Sequence, residues 1–318
     1  MKADVFVGGF SYSLGDRRQS LHAAAQGGLL VSPEDALGSG GFEWHHVCAT
    51  DTSSYDLALR AVTQIDRDVG AVDAIIYATC IPENSNAVGR AAFENSRDVR
   101  DLMQFPASLL QSELGIMGPV FGLDQQACTG MLGAIRLARS LVLSEPEFKR
   151  VLCVTADRFP EGARYEQAYN LISDGAAACV VSEAPAEFRI LACHQITNGS
   201  QVAASDEETL GSYFAQSCET IKACLGKAGL SIDDIDWIVP QNTQRDAWRV
   251  LCSLLDFPFE KVCLDSLPEV GHVISADNVI NLTQLLSRGA AETGQRLLLP
   301  MAGYGSNWQC VAIERSAT

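Results

Sequence analysis

Residues 123–132 read LDQQACTGML and place Cys128 between a polar run and the start of a helical pattern. A packing cysteine belongs inside an apolar run. This one follows Asp124, Gln125 and Gln126 and precedes Thr129 and Gly130; only then come Met131, Leu132, Ile135, Leu137 and Ala138 at helical spacing. A sulfur in the first turn of a helix meets unpaired N–H groups and the positive end of the helix dipole, and both favour thiolate over thiol. Ala127 and Gly130 are small enough to admit a substrate carbonyl, and the backbone N–H of Cys128 could serve an oxyanion hole. The chemistry would be attack of sulfur on a carbonyl carbon. A helix-start cysteine without chemistry fits the same local residues, so both readings stand at this point.

The other ten cysteines give no rival centre. Most sit in apolar runs (VLCVTA, AACVVS, WQCVAI) and read as small buried hydrophobes. No pair has C-x-x-C spacing, and the five histidines are not grouped with them, so no metal site is expected. A disulfide scaffold does not suit a chain of 318 residues.

An alternating pattern of strands and helices must position Cys128. Strands are expected at DVFVGGF, VDAIIYATC, VFGLDQQ, RVLCVTAD, AAACVVSE, FRILACHQI, IDWIVPQN, RLLLPMAGYG and NWQCVAIE. Helices are expected over 52–69, 105–114, 129–143, 210–229, 245–255 and 278–289. Two pairs of segments are alike in order and character. GAVDAIIYATC matches IDDIDWIVPQN, each an Asp-led apolar strand, and RVLCVTAD matches RLLLPMAG. An internal duplication follows. Near-continuous apolar strands need cover on both faces, which gives an α/β fold layered αβαβα. Long loops at 26–41, 82–102, 158–167 and 195–210 are places where function concentrates.

Composition agrees with a globular α/β enzyme: 47% hydrophobic and 19% charged residues. The net charge of −16 disfavours nucleic acid and anionic membranes as partners. No apolar run approaches the roughly 20 residues that span a bilayer. The opening MKADVFVGGF reads as a first strand rather than a signal peptide, so a cytoplasmic location is expected.

Over nearly its whole length the chain resembles the β-ketoacyl-acyl-carrier-protein synthase III family of the thiolase-like superfamily. The resemblance runs, in the family's order, through ASLLQSELG, residues 121–139 around the cysteine, VLCVTADRF, ISDGAAACVV, AGLSIDDIDWIVPQN and LLPMAGYGSNW. Ser173, Asp174, Gly175 and Ala176 stand in the family's Gly-Asp-Gly-Ala-rich turn. It implies the thiolase-like fold from two duplicated βαβαβαββ halves: residues 1–185 carrying Cys128, and 186–318 carrying His272 and Asn242. Cys128 matches the acyl-accepting nucleophile. Tyr304, between Gly303 and Gly305, matches the residue whose backbone N–H completes the oxyanion hole with that of Cys128.

The remaining site departs from the family. Its usual His falls on Gln241, with Asn242 next to it, and its usual Asn falls on His272. Of the five histidines (22, 45, 46, 194 and 272) only His272 lies in either motif. An imidazole at 272 and an amide at 242 could supply the same parts with places exchanged. Asp277 could orient that imidazole, or simply cap a helix. His45 and His46 are adjacent on an extended segment, so at most one can face a site.

The resemblance implies an acyl-thioester enzyme with a Cys128 acyl-enzyme and no built-in cofactor. The substrate would be acyl-coenzyme A or an acyl carrier protein, and the assembly a homodimer. Two fates of the acyl group are open: decarboxylative condensation to a β-keto product, slightly favoured, or transfer to an alcohol or amine. The altered motifs point to specialised biosynthesis. A non-catalytic partner subunit and a Cys/His thioester hydrolase are the alternatives. Arg245 and Arg249 are candidates for a basic patch that a carrier protein would need, or for a solvated helix face.

Overall fold

A computed structural model describes residues 3–65, 69–81, 93–103, 105–201, 206–304 and 306–317. Gly305, the loop portion 82–92 and residues 202–205 lie outside these.

Nine strands form one sheet: β1 (Phe6–Leu14), β2 (Ala74–Ala78), β3 (Val120–Leu123), β4 (Arg150–Asp157), β5 (Gly175–Ser182), β6 (Phe188–Thr197), β7 (Trp237–Ile238), β8 (Arg296–Gly303) and β9 (Asn307–Arg315). Their spatial order is β7-β8-β9-β6-β1-β5-β4-β2-β3. The order mirrors about the central pair β6 and β1. Outward from β1 come two antiparallel steps, to β5 and β4, then parallel steps to β2 and β3. Outward from β6 come two antiparallel steps, to β9 and β8, then a parallel step to β7. A single parallel bridge, Ile238 to Val262, stands where the fifth strand of the second half would run. The segments alike in sequence therefore occupy equivalent places: IIYA of β2 with WI of β7, and β4 with β8.

Three apolar cores define the layers. Alternate residues of each buried strand point to opposite faces. Ile75, Leu152 and Val154 turn outward, against Leu57, Ala61 and Val62 of α1 (Ser54–Thr63) and Leu110 of α2 (Pro106–Glu113). Ile76 and Cys153 turn inward, as do Leu297 and Val311 of the other half, onto α3 (Gly130–Ser144) and α6 (Asp277–Ser287). Leu298 and Ala312 face the third core, with Ile221 and Leu225 of α4 (Asp206–Ala228) and Trp248 and Leu251 of α5 (Arg245–Leu255). The result is the α/β thiolase-like layering that the near-continuous apolar strands require. Residues 127–144 have the length and hydropathy of a bilayer span, but they form the central helix of this core and half of the window is buried.

Boundaries moved where capping decides them. α1 starts at a capping box in which Ser53 and Asp56 exchange hydrogen bonds, and it stops at Thr63, short of the expected 69. β7 is only two residues long, because Pro240 lacks the N–H that would extend the ladder.

Candidate active site

Both central helices begin at the same place, and the candidate residues sit in the turns that lead into them. Cys128 occupies a 3-10 turn, Ala127–Thr129, directly before α3, and is buried at 3% exposure. Ala127 is held at φ 45°, a conformation that costs an alanine on the order of 1 kcal/mol or more. The surroundings hold it there. The Thr129 hydroxyl donates to Gln126 O (2.7 Å), the Ser275 hydroxyl donates to Ala127 O (3.0 Å), and Gln309 Nε2 donates to Gln126 Oε1 (2.7 Å). Ile274 and Ser306, which flank the site on the other side, also have positive φ (50° and 63°).

The backbone N–H of Tyr304 acts on the Cys128 thiol and lowers it, while the Tyr304 side chain is exposed. Gly303 makes this approach possible. A Cβ there would lie 2.8 Å from Gln126 O and 3.2 Å from Cys128 N. The backbone at 303 therefore lies directly against the cysteine turn.

The Cys128 thiol is pushed well up from its ordinary value. The hydrogen bond with the Cys80 thiol is the largest cause, followed by burial; Asp277 adds to the rise, and the Tyr304 N–H opposes it. This corrects the expectation of a thiolate at the helix tip: loss of water and nearby negative charge outweigh the dipole. The resting sulfur is a thiol, and attack needs a base.

His272 precedes α6 in the turn corresponding to that of Cys128. Its side chain is 2% exposed, and Nδ1 lies 2.5 Å from Asp277 Oδ2. Asp277 is fully buried. It also accepts from the backbone N–H groups of Asn242 (2.7 Å) and Val273 (2.7 Å), so its two oxygens are fixed from three directions. With Nδ1 held against the carboxylate, Nε2 is the ring nitrogen left to exchange a proton. The first half of the chain anchors this loop: His272 N donates to Leu171 O (2.8 Å), and Ser173 N donates to His272 O (2.9 Å). Gly271, at φ 62°, is required there because a Cβ would come 2.6 Å from Leu171 O.

Two family models match the chain. Residues 124–199 match 3-oxoacyl-[acyl-carrier-protein] synthase III, and residues 225–315 match the C-terminal region of the same enzyme, together just over half of the chain. The chain belongs to the 3-oxoacyl-[acyl-carrier-protein] synthase III family. It is 28% identical over 243 residues to the β-ketoacyl-[acyl-carrier-protein] synthase III of Chlamydia caviae, covering 66% of this chain and 72% of the relative. Two solved structures share the fold, each with a TM-score of 0.81. The synthase III of Pseudomonas aeruginosa PAO1 is 23% identical and covers 99% of both chains. ChlB3, described as an acyltransferase, is 22% identical and covers 99% of this chain and 98% of its own. As a synthase III family member this chain is an acyltransferase, and its chemistry is acyl transfer or condensation.

The other expected residues of this synthase III relative serve as scaffold. Asn242 is fully buried with its amide occupied: Nδ2 donates to Ser266 Oγ and to Gly271 O (both 2.8 Å), and Oδ1 accepts from Asn281 Nδ2 (2.9 Å). Asn242 was expected to donate to a substrate carbonyl; it holds the His272 loop instead, because both its N–H bonds are spent there. Gln241 Oε1 accepts from Ala302 N (3.1 Å), fixing β8 just before Gly303. His45 Nδ1 bonds to Ile172 O (3.0 Å), and burial lowers its pKa to about 4, so it is a neutral core residue. His46 bonds to Gly15 O (3.2 Å). Asp174 of the Gly-Asp-Gly-Ala-rich turn accepts from Cys48 N (2.7 Å), Phe159 N (2.8 Å) and Tyr165 OH (3.1 Å), and so ties three loops together behind the site. Arg249 stacks on Phe259 and pairs with Asp246 on an outer helix.

Sequence reasoning missed Cys80, Ser275 and Gln309. Each is unremarkable in its own run, and only the tertiary fold brings it to the cysteine turn.

Proposed function

We propose that the chain carries an acyl group from a coenzyme A or carrier-protein thioester, through Cys128, to a hydroxyl or amine acceptor without forming a carbon–carbon bond. The buried His272–Asp277 pair carries this reading. An imidazole held through Nδ1 against a carboxylate has Nε2 left to take and return a proton, which is the work of a general base. Condensation needs donors to the enolate oxygen formed on decarboxylation. The amide expected for that task, at Asn242, is consumed in holding its loop.

The steps follow. His272 Nε2 takes the proton of Cys128 as sulfur attacks the thioester carbonyl, and the backbone N–H groups of 128 and 304 receive the oxyanion. Collapse expels the carrier thiolate, which takes the proton from His272. The acceptor hydroxyl or amine then gives its proton to Nε2 and attacks the acyl-enzyme. A second collapse returns Cys128 as thiol, its sulfur recovering that proton. No resident cofactor enters these steps.

Two wider features belong to the same reading. β3 is the outer strand of the sheet, and beside it α2 and the turn into β3 carry exposed apolar side chains: Phe105, Leu109 and Met117. An open edge beside such a patch suits a second copy continuing the sheet, which makes the protein a homodimer. All eleven cysteines are free, which accords with a reducing cytoplasm.

The test is intact-protein mass spectrometry with a panel of acyl-coenzyme A donors. Cys128 gains an acyl adduct, Cys128→Ala does not, and hydroxyl or amine acceptors discharge the adduct. Release of carbon dioxide and a β-keto product from malonyl-coenzyme A would establish condensation instead. Absence of any adduct would leave a non-catalytic subunit.

A further inference from the structure

We infer that a cavity beside the short two-stranded ribbon is a binding site for a small organic anion, one with a carboxylate or phosphate head and an apolar body. The ribbon pairs Arg17–Ser20 antiparallel with Trp44–Val47, and the cavity, of about 440 Å³, lies between it and residues 158–165. Sites for small molecules commonly span about 300–1,000 Å³. Cys128, His272 and Tyr304 do not line it, so it is distinct from the acyl centre.

Two guanidinium groups converge on one backbone turn at its wall. Arg17 Nη2 donates to Cys48 O (2.9 Å), and Arg158 Nη2 donates to Thr50 O (3.3 Å) and Ala49 O (3.5 Å). Gly15 lets the chain reach this position, because a Cβ there would lie 2.6 Å from Val47 C and 2.8 Å from Cys48 N. Carbonyls take up N–H groups but leave the charge standing, and two like charges at one turn repel until an anion lies between them. The acids around the turn are committed elsewhere. Asp16 pairs with Arg60 (2.6 Å), and Asp174 holds Cys48 N, Phe159 N and Tyr165 OH. Among the described residues, Arg17 has the Cys48 carbonyl as its partner and no carboxylate.

The rest of the lining fits the same ligand. Arg18 pairs with Glu269 and stacks on Trp44 (3.9 Å), and Glu161, the acid among the described lining residues, is exposed. Leu29 and Val47 offer an apolar wall, and the rings of Phe159 and Tyr165 meet edge to face at 5.7 Å. An arginine fork matches two oxygens of a carboxylate or phosphate, and two forks grip such a head more firmly than one. A chain of net charge −16 exerts no general pull on anions, so recognition rests on this local charge.

The experiment is isothermal titration calorimetry of the full chain with phenyl phosphate and benzoate. Inorganic phosphate and benzyl alcohol serve as probes with the head alone and the ring alone. At least one aromatic anion binds saturably and more tightly than inorganic phosphate, and benzyl alcohol does not bind; the tighter anion identifies the head. Phenylglyoxal, which labels arginine, locates the site in the wild-type chain: peptide mapping finds Arg17 labelled in the free protein and protected by the bound anion. Arg17→Gln weakens binding about tenfold or more, as loss of a charged hydrogen bond does, and leaves acyl uptake by Cys128 unchanged. The proposal is overturned if neither aromatic anion binds, if inorganic phosphate or benzyl alcohol binds at least as tightly, or if the bound anion leaves Arg17 unprotected. A folded Arg17→Gln chain that binds within about twofold of the parent overturns it as well. No thioester is present in the titration, so the outcome is independent of how the acyl group is passed on.

Discussion

Asp277 acts on two groups in opposite senses. Its carboxylate holds His272 through Nδ1, and its charge raises the Cys128 thiol. Replacing it by Asn removes the charge, and the three fixed contacts no longer all face acceptors. Asp277→Asn is expected to lower acyl transfer by on the order of 10²–10⁴, the range lost when an imidazole is misoriented. The same change lets Cys128 ionise at lower pH, so iodoacetamide alkylation of Cys128 near neutral pH becomes faster. A residue that merely capped α6 would not divide the two rates; equal slowing of both refutes the assignment.

Helix α3 and strand β8 meet at the cysteine turn, and the meeting leaves no room for a methyl group at 303. Gly303→Ala must displace either the Gln126 carbonyl or the Cys128 N–H. Loss of one oxyanion donor typically costs about 10²–10³ in rate, and acylation of Cys128 in this variant should fall by that order. The substitution touches one turn between well-packed layers, so circular dichroism and the melting temperature should stay near those of the parent. An acylation rate within a factor of about two of the parent would remove the turn from the oxyanion hole.

At the scale of the molecule, mirrored halves put two helix starts side by side. In the proposed reaction the first half supplies the nucleophile from the turn before α3, and the second supplies base and carboxylate from the turn before α6. The open edge at β3 is the feature that two such molecules would share. Wild type is expected in light scattering at twice the 34.1 kDa chain mass. Phe105→Glu changes a side chain that is 63% exposed and so leaves the folded chain intact while charging the patch. It should run as a monomer. A monomeric wild type, or a dimer unmoved by this charge, places the interface elsewhere.

The sequence by itself determined what depends on local pattern. Apolar runs set the buried strands, a polar run before a helical pattern marked Cys128, and likeness between segments revealed the repeat, because periodicity and turn chemistry are written over a few neighbouring residues. Position within IVPQN and VGHVIS singled out His272, yet the partners of Asn242 and Asp277 lay beyond that reach. Asn242 reads as a site amide in its own stretch, but Ser266, Gly271 and Asn281 claim it from afar. Asp277 reads as a helix cap until the ring of His272 is seen against it. Cys80 shows nothing in ATCIP to connect it with a residue 48 positions on. Hydrogen bonds and burial are settled by groups distant in the chain, so which polar residue is free to react was decided only by the tertiary structure.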